Sequence, residues 1–186
     1  KALLKNPKSD VTVLLITFFL TVIFDLTVAI EVGLLIACVL FMKRVMETTD
    51  ISVIKNEIDP NNESDLEVHE EHLMVPEGVE VYEINGPYFF GIATKFEEIM
   101  SELGDRPKVR IIRMRKVPFI DSTGIHNLTN LCEMSKKENI HIVLSGVNEK
   151  VHKVLEKAGF YDLLGEDNIC PNINVALEKA KAIVEK

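Results

Sequence analysis

The stretch FIDSTGI, Phe119 to Ile125, decides how the C-terminal half of this chain is read. A hydrophobic run stops at Asp121, a small polar pair follows, and a glycine precedes another apolar residue. This order describes a strand ending near Ile120 and a helix starting at Asp121 or Ser122. Either side chain can accept a hydrogen bond from an N–H that the first helical turn leaves without a partner, a contact worth about 0.5–2 kcal/mol. The same place suits an added phosphate, because those N–H groups and the positive end of the helix dipole favour a dianion by about 0.3–1 kcal/mol. Gly124, without a Cβ, would let a phosphate or a partner's backbone come close. Capping and phosphorylation are both open here.

The segments on either side alternate between two periods. VEVYEI, from Val79, alternates and suits a strand with one buried face. NGP is turn chemistry, and YFFGI, from Tyr88, reads as a second short strand. Ile92, Phe96, Ile99, Met100 and Leu103 then recur at helical spacing up to Gly104. VRIIRMR, from Val109, is a third strand, and Ser122 to Lys137 a helix with Ile125, Leu128, Leu131 and Cys132 inward. IHIVLSG, from Ile140, is a fourth strand. Val151, Val154, Leu155 and Ala158 stripe a further helix closed by Gly159, and the last helix runs from about Asn172 to Glu185. Short joints between strands and helices predict an α/β sandwich, large enough to bury its own core. Arg113, Arg115 and Lys116, at the end of the third strand, are either phosphate contacts or a solvated strand end.

The N-terminal third belongs to a different solvent. Between Val11 and Met42 the only charges are Asp25 and Glu31. A straight helix over that run would reach ~48 Å, against a hydrocarbon core of ~30 Å, and would leave Asp25 near mid-membrane. The run is too long for a signal peptide, whose apolar region spans ~7–15 residues. A hairpin resolves this, with arms 11–24 and 27–42 and Asp25 at the tip, capping the second arm. Each arm would be ~21–24 Å long and would lean on other protein. The basic flanks, Lys1, Lys5 and Lys8 before and Lys43 and Arg44 after, both return to the cytoplasmic side. Ala29, Gly33 and Ala37 fall four apart, a small-residue face for close helix packing and a candidate dimer contact. Asp25 and Glu31 are either part of an ion path or a helix cap and a packed polar contact.

Residues 48–78 lose apolar density and gain carboxylates, which predicts an acidic linker between a membrane segment at 1–47 and a folded domain at 79–186. His69 and His72 have no third ligand at a sensible spacing, so no metal site is expected. Cys38, Cys132 and Cys170 are far apart among apolar neighbours, which predicts buried thiols rather than disulfides or zinc. A net charge of −8 and the lack of a basic stripe argue against nucleic acid. No nucleophile–base pair or Gly-rich phosphate loop is visible, so no enzyme and no cofactor are expected.

FIDSTGI in its strand-to-helix frame, with GVNEKVHKVLEKAGF downstream, resembles the STAS domain (sulfate transporter and anti-sigma factor antagonist) over roughly Val79 to Glu185. Asp121, Ser122, Thr123 and Gly124 match its Asp-Ser-x-Gly pattern. TFFLTVIFDLTVAIEVGLLIACVLFMKRV, from Thr17, resembles the last two transmembrane helices of sulfate permease (SulP) transporters. The resemblance implies a STAS-type sandwich, with a mixed four- to five-stranded sheet, after a transmembrane hairpin. It implies the C-terminal piece of a longer multi-pass anion transporter in the cell membrane, as the start at Lys1 without a methionine also leads one to expect. The STAS domain would be cytoplasmic and serve regulation and assembly. Partners would be the remaining transmembrane core, a second copy, lipid, and a cytoplasmic protein. In stand-alone STAS proteins of the anti-sigma antagonist type, the serine at the position of Ser122 is phosphorylated, which gives the alternative of a membrane-tethered signalling module switched there.

Overall fold

A computed structural model describes residues 8–54, 57–58, 73–89, 92, 95–96, 98–99 and 106–185. They form two compact units, one ending at Thr48 and the other starting at Thr49.

The first unit is a helical hairpin, α1 (Lys8–Ile23) and α2 (Leu26–Thr48). At the tip, the Asp25 carboxylate accepts the Val28 N–H at 2.9 Å, so it caps α2. The second arm, expected to stop at Met42, continues past Lys43 and Arg44. Long basic side chains can carry their charge outward while the backbone stays helical. At ~1.5 Å per residue α2 is ~35 Å long, so it does not share the shortfall expected of both arms. Leu26–Val45 is long and apolar enough to cross a membrane, whereas the apolar part of α1, Val11–Ile23, is shorter. Ala29 and Gly33 are buried and Ala37 is half-buried. A Cβ at Gly33 would fall 2.6 Å from Thr17 Oγ1, so at Gly33 the small-residue face meets α1 of the same chain. Glu31 is exposed on this unit.

The second unit is built on a five-stranded sheet in the order β1-β4-β5-β6-β7. Its strands are β1 (Asp50–Ile54), β4 (Val79–Asn85), β5 (Val109–Arg113), β6 (His141–Ser145) and β7 (Ile169–Cys170). A separate two-residue pair joins β2 (Glu57–Ile58) to β3 (Leu73–Met74). β1 pairs antiparallel with β4, and the other neighbours are parallel. The sheet is mixed, as the STAS resemblance implied.

Side chains leave the sheet with a period of two and fill two cores. Tyr82, Ile84, Ile112, Met114 and Leu144 meet α3 (Ser122–Lys137), α4 (Glu149–Lys157) and α5 (Phe160–Leu164) through residues such as Leu128, Leu131, Leu155 and Phe160. Val79, Val81, Val109, Ile111 and Val143 meet α6 (Ile173–Val184) through Ile173, Ala176, Leu177 and Ala180. Helices on both faces explain why all five residues of β5 are buried, two arginines included. Arg110 donates to Ser135 Oγ at 3.1 Å, and its guanidinium carbon lies 5.4 Å from the centre of the Tyr82 ring.

Several expectations need correction. The first residues of the supposed linker are β1, held by five register pairs with β4, so the sheet begins at Asp50 rather than Val79. YFFGI is no strand over its described part. Tyr88 makes one isolated bridge to Ile120, and Phe89 is a bend. In the helix that follows, Ile92, Lys95, Phe96, Glu98 and Ile99 are helical, and Met100, Leu103 and Gly104 lie outside the described residues, as do His69 and His72. On α4 only Val151 and Leu155 are buried, because nine residues turn just two positions inward, and Val154 and Ala158 are exposed. Cys132 and Cys170 are buried, but Cys38 is exposed on the hairpin.

Candidate functional site

β5 ends at Arg113 and not near Ile120, as the sequence suggested, and the FIDSTGI corner closes the loop that leads from it to α3. Met114 donates its N–H to Ser145 O at 2.8 Å, and Val117 donates to Met114 O at 3.0 Å, folding the chain beyond the strand into a turn. Asn148 Nδ2 donates to Val117 O at 2.5 Å. Ile120 then bridges Tyr88, and Asp121 has extended backbone angles, φ −101° and ψ 179°.

The choice between Asp121 and Ser122 as cap is settled by geometry. Asp121 is the N-cap residue, and its carboxylate accepts the Gly124 N–H at 2.6 Å. Ser122 is the first helical residue and is exposed, as is Thr123. The apolar stripe expected on α3 holds, with Leu128, Leu131 and Cys132 buried and Ile125 packed at the margin. Burial pushes the Cys132 thiol up to about 12, with a contribution from the charge of Glu133, so this thiol is inert near neutrality.

Gly124 has a different purpose from the one expected. A Cβ there would lie inside the contact distance of the Tyr88 carbonyl oxygen and 2.9 Å from both Tyr88 Cδ1 and Ile120 Cγ1. The space is filled by the chain's own backbone, so neither a phosphate nor a partner approaches through it. Tyr88 donates its N–H to Phe119 O at 3.0 Å and accepts the Asp121 N–H at 3.4 Å. Its side chain is buried, which raises the hydroxyl above the ordinary tyrosine range. Sequence reasoning missed Tyr88 as a member of the corner. The turn signal NGP just before it was the only pointer.

Beside the corner, the rings of Phe89 and Phe119 stack at 6.0 Å with an interplanar angle of 24°, and Phe119 is half exposed. Arg113, proposed as a phosphate contact or a solvated strand end, is neither. It is 4% exposed, and it meets Glu83 on the neighbouring strand at 3.3 Å. Lys116 reaches the same carboxylate oxygen at 3.5 Å, while Arg115 is exposed. Among the described residues, no hydrogen bond joins the Ser122 hydroxyl to a carboxylate or an imidazole. The corner therefore presents an exposed alcohol on a capped helix end and contains no activated nucleophile. Ala29, Gly33, Ala37, Asp25 and Glu31 belong to the hairpin and not to this corner.

Comparison with known proteins fits this geometry. Residues 72–176 match the STAS domain family. The crystal structure of a sulfate transporter family protein from Wolinella succinogenes is 43% identical, covering 61% of this chain and 93% of that one, with a TM-score of 0.58. The murine Solute Carrier 26 family member A9 anion transporter is 18% identical. It shares the fold over 97% of this chain and 30% of its own, with a TM-score of 0.72. YvdB of Bacillus subtilis (strain 168) is 28% identical over 173 residues, which are 89% of this chain but 29% of YvdB, so the chain spans under a third of that relative. The chain belongs to the sulfate transporter (SulP) family and carries its STAS domain.

Proposed function

We propose that this chain is the end of a secondary active transporter for inorganic anions of the sulfate type. It would supply the last two transmembrane helices, and its cytoplasmic STAS domain would act in regulation and assembly. The observation that carries this is the order of the two units. An apolar helical hairpin directly precedes a domain that is 43% identical to that of a sulfate transporter family protein. The outer surface of the hairpin is rich in exposed large apolar side chains, such as Phe18, Phe19, Leu34 and Leu35, which suits lipid and the remaining helices of a multi-pass protein. A second copy of the chain is the further partner. The face of Ala29 and Gly33 is taken up within the hairpin, so other surfaces would have to serve a dimer.

The test is uptake of labelled sulfate and bicarbonate by the complete transporter in proteoliposomes, with and without a proton or sodium gradient. Gradient-dependent accumulation of either anion is expected, and no accumulation of any anion under any gradient rules transport out. Labelling Lys153→Cys, an exposed position, with an impermeant thiol reagent should succeed only after cells are opened.

A second reading, in which Ser122 is a phosphoacceptor that switches binding of a cytoplasmic protein, is favoured by one detail. Asp121 alone provides the cap, which leaves the Ser122 hydroxyl exposed at the helix end. Replacing Ser122 by Ala and by Asp tests it, and unchanged uptake together with unchanged partner binding in both variants would reduce Ser122 to a surface residue.

A further inference from the structure

Thr49 is the first residue after α2, and its surroundings tie it to the corner that carries Ser122. It is buried, at 4% exposure. Its hydroxyl donates to Pro87 O at 3.2 Å, and Lys95 Nζ donates to its carbonyl oxygen. Gly86, at φ +119°, sits so close that a Cβ there would lie 3.1 Å from Thr49 Cα. Two residues further on, Tyr88 is bonded to Phe119 and Asp121, and its carbonyl fills the space left at Gly124. Gly86 also donates its N–H to Lys116 O at 3.3 Å. The segment from Gly86 to Tyr88 is thus gripped on one side by Thr49. On the other side it is gripped by the loop and first turn that present Ser122. The far wall is firm as well, because Tyr82 and Tyr88 both pack on Phe96, next to Lys95. Close-packed interiors of this kind shift between arrangements instead of deforming smoothly.

We infer that Gly86–Tyr88 is a mechanical relay between the N-terminus of α3 and Thr49. A charge or a bound protein that displaces the first turn of α3 moves the Tyr88 carbonyl. That motion loosens the Thr49 grip and with it the edge strand β1. Coupling of this kind works in both directions, so a pull on Thr49 alters the Ser122 corner in return. Thr49, Gly86 and Gly124 are positioning residues in this relay, which depends on contacts within the second unit and on no assumption about transport.

Hydrogen–deuterium exchange of the full chain in detergent micelles tests the relay, following the amides of residues 49–54 against those of β6 as an internal reference. Two variants drive it, Gly124→Ala by steric pressure on Tyr88 and Ser122→Glu by added charge at an exposed position. The second keeps the test usable if the first does not fold. With Ser122→Glu, exchange at 49–54 is expected to rise at least threefold with less than twofold change in β6. With Gly124→Ala, which also lowers global stability, the rise at 49–54 is expected to exceed that in β6 at least threefold. In a Thr49→Val background, which removes the bond to Pro87, Ser122→Glu should add less than twofold. A rise smaller than threefold at 49–54, an equal rise in β6, or an effect of Ser122→Glu that survives Thr49→Val would each overturn the relay.

Discussion

The carbonyl oxygen of Tyr88 occupies the space that any residue other than glycine would need for its Cβ at position 124. The contact is buried on both sides, since Tyr88 is 1% exposed and Gly124 is enclosed by Ile120 as well. Gly124→Ala must therefore push the Tyr88 backbone or the start of α3 aside. Overpacking of this kind costs about 1–3 kcal/mol, and we expect a loss in that range on chemical denaturation. Substitution at the open Gly159, whose imagined Cβ meets only Asp162 Oδ2 at 3.6 Å, probes backbone strain alone, because φ there is +69°.

Asp121 and Ser122 should separate cleanly in a stability measurement. Asp121→Ala removes the acceptor for the Gly124 N–H and should cost about 1 kcal/mol, most of which Asp121→Asn restores. Ser122→Ala, at an exposed helical position, should stay within about 0.5 kcal/mol of the parent. Thermal unfolding of the three variants side by side checks the assignment. Equal losses at both positions would contradict it.

The ion pair between β4 and β5 is a stronger determinant. Glu83→Gln removes the carboxylate that faces the buried Arg113 guanidinium, which should destabilise the domain by about 3 kcal/mol. Lys116, at 43% side-chain exposure, shares that carboxylate from the solvent side, and Lys116→Met should cost less than about 1 kcal/mol. Urea midpoints for the two variants should differ accordingly.

Alkali should unfold the domain earlier than exposed groups would predict. Burial raises the Cys132 thiol from 9.0 and the Tyr161 hydroxyl from 10.0, each to about 12, with the charge of Glu156 adding to the second. Both groups release a proton more readily from the unfolded chain. The stability contributed by burying their neutral forms is intact below about pH 9 and is lost as pH rises towards about 12. A melting temperature that is level from pH 7 to 8.5 and falls from there to pH 11 is expected. Cys132→Val should shift the onset upward.

Much of this fold could be read from the sequence where local periodicity carries the information. α3 declares itself by the spacing of its apolar residues and the helix pair by the length of its apolar run. The alternation that marked β4 as a strand suggested one buried face where the structure has two. β1 could not be recognised, because Ile51 and its neighbours are a short apolar island between polar runs, and only distant pairing with β4 makes them a strand. Arg113 was misjudged for a related reason. Arg115 and Lys116 follow it within three positions, while the Glu83 that draws it inward sits on another strand in register. At the corner, residue types announced a helix start without separating Asp121 from Ser122 as its cap, and the gap at Gly124 is filled by Tyr88. That residue is distant in sequence and leaves no mark on the motif itself.

The early position of β1 has a practical consequence. The chain leaves the sheet at Ile54 and re-enters it at Val79, with β2 and β3 pinching the excursion closed partway. Because closing such an excursion costs only about 0.6 kcal/mol for each doubling of its length, extra chain spliced in between Ile58 and Leu73 should leave the sandwich intact.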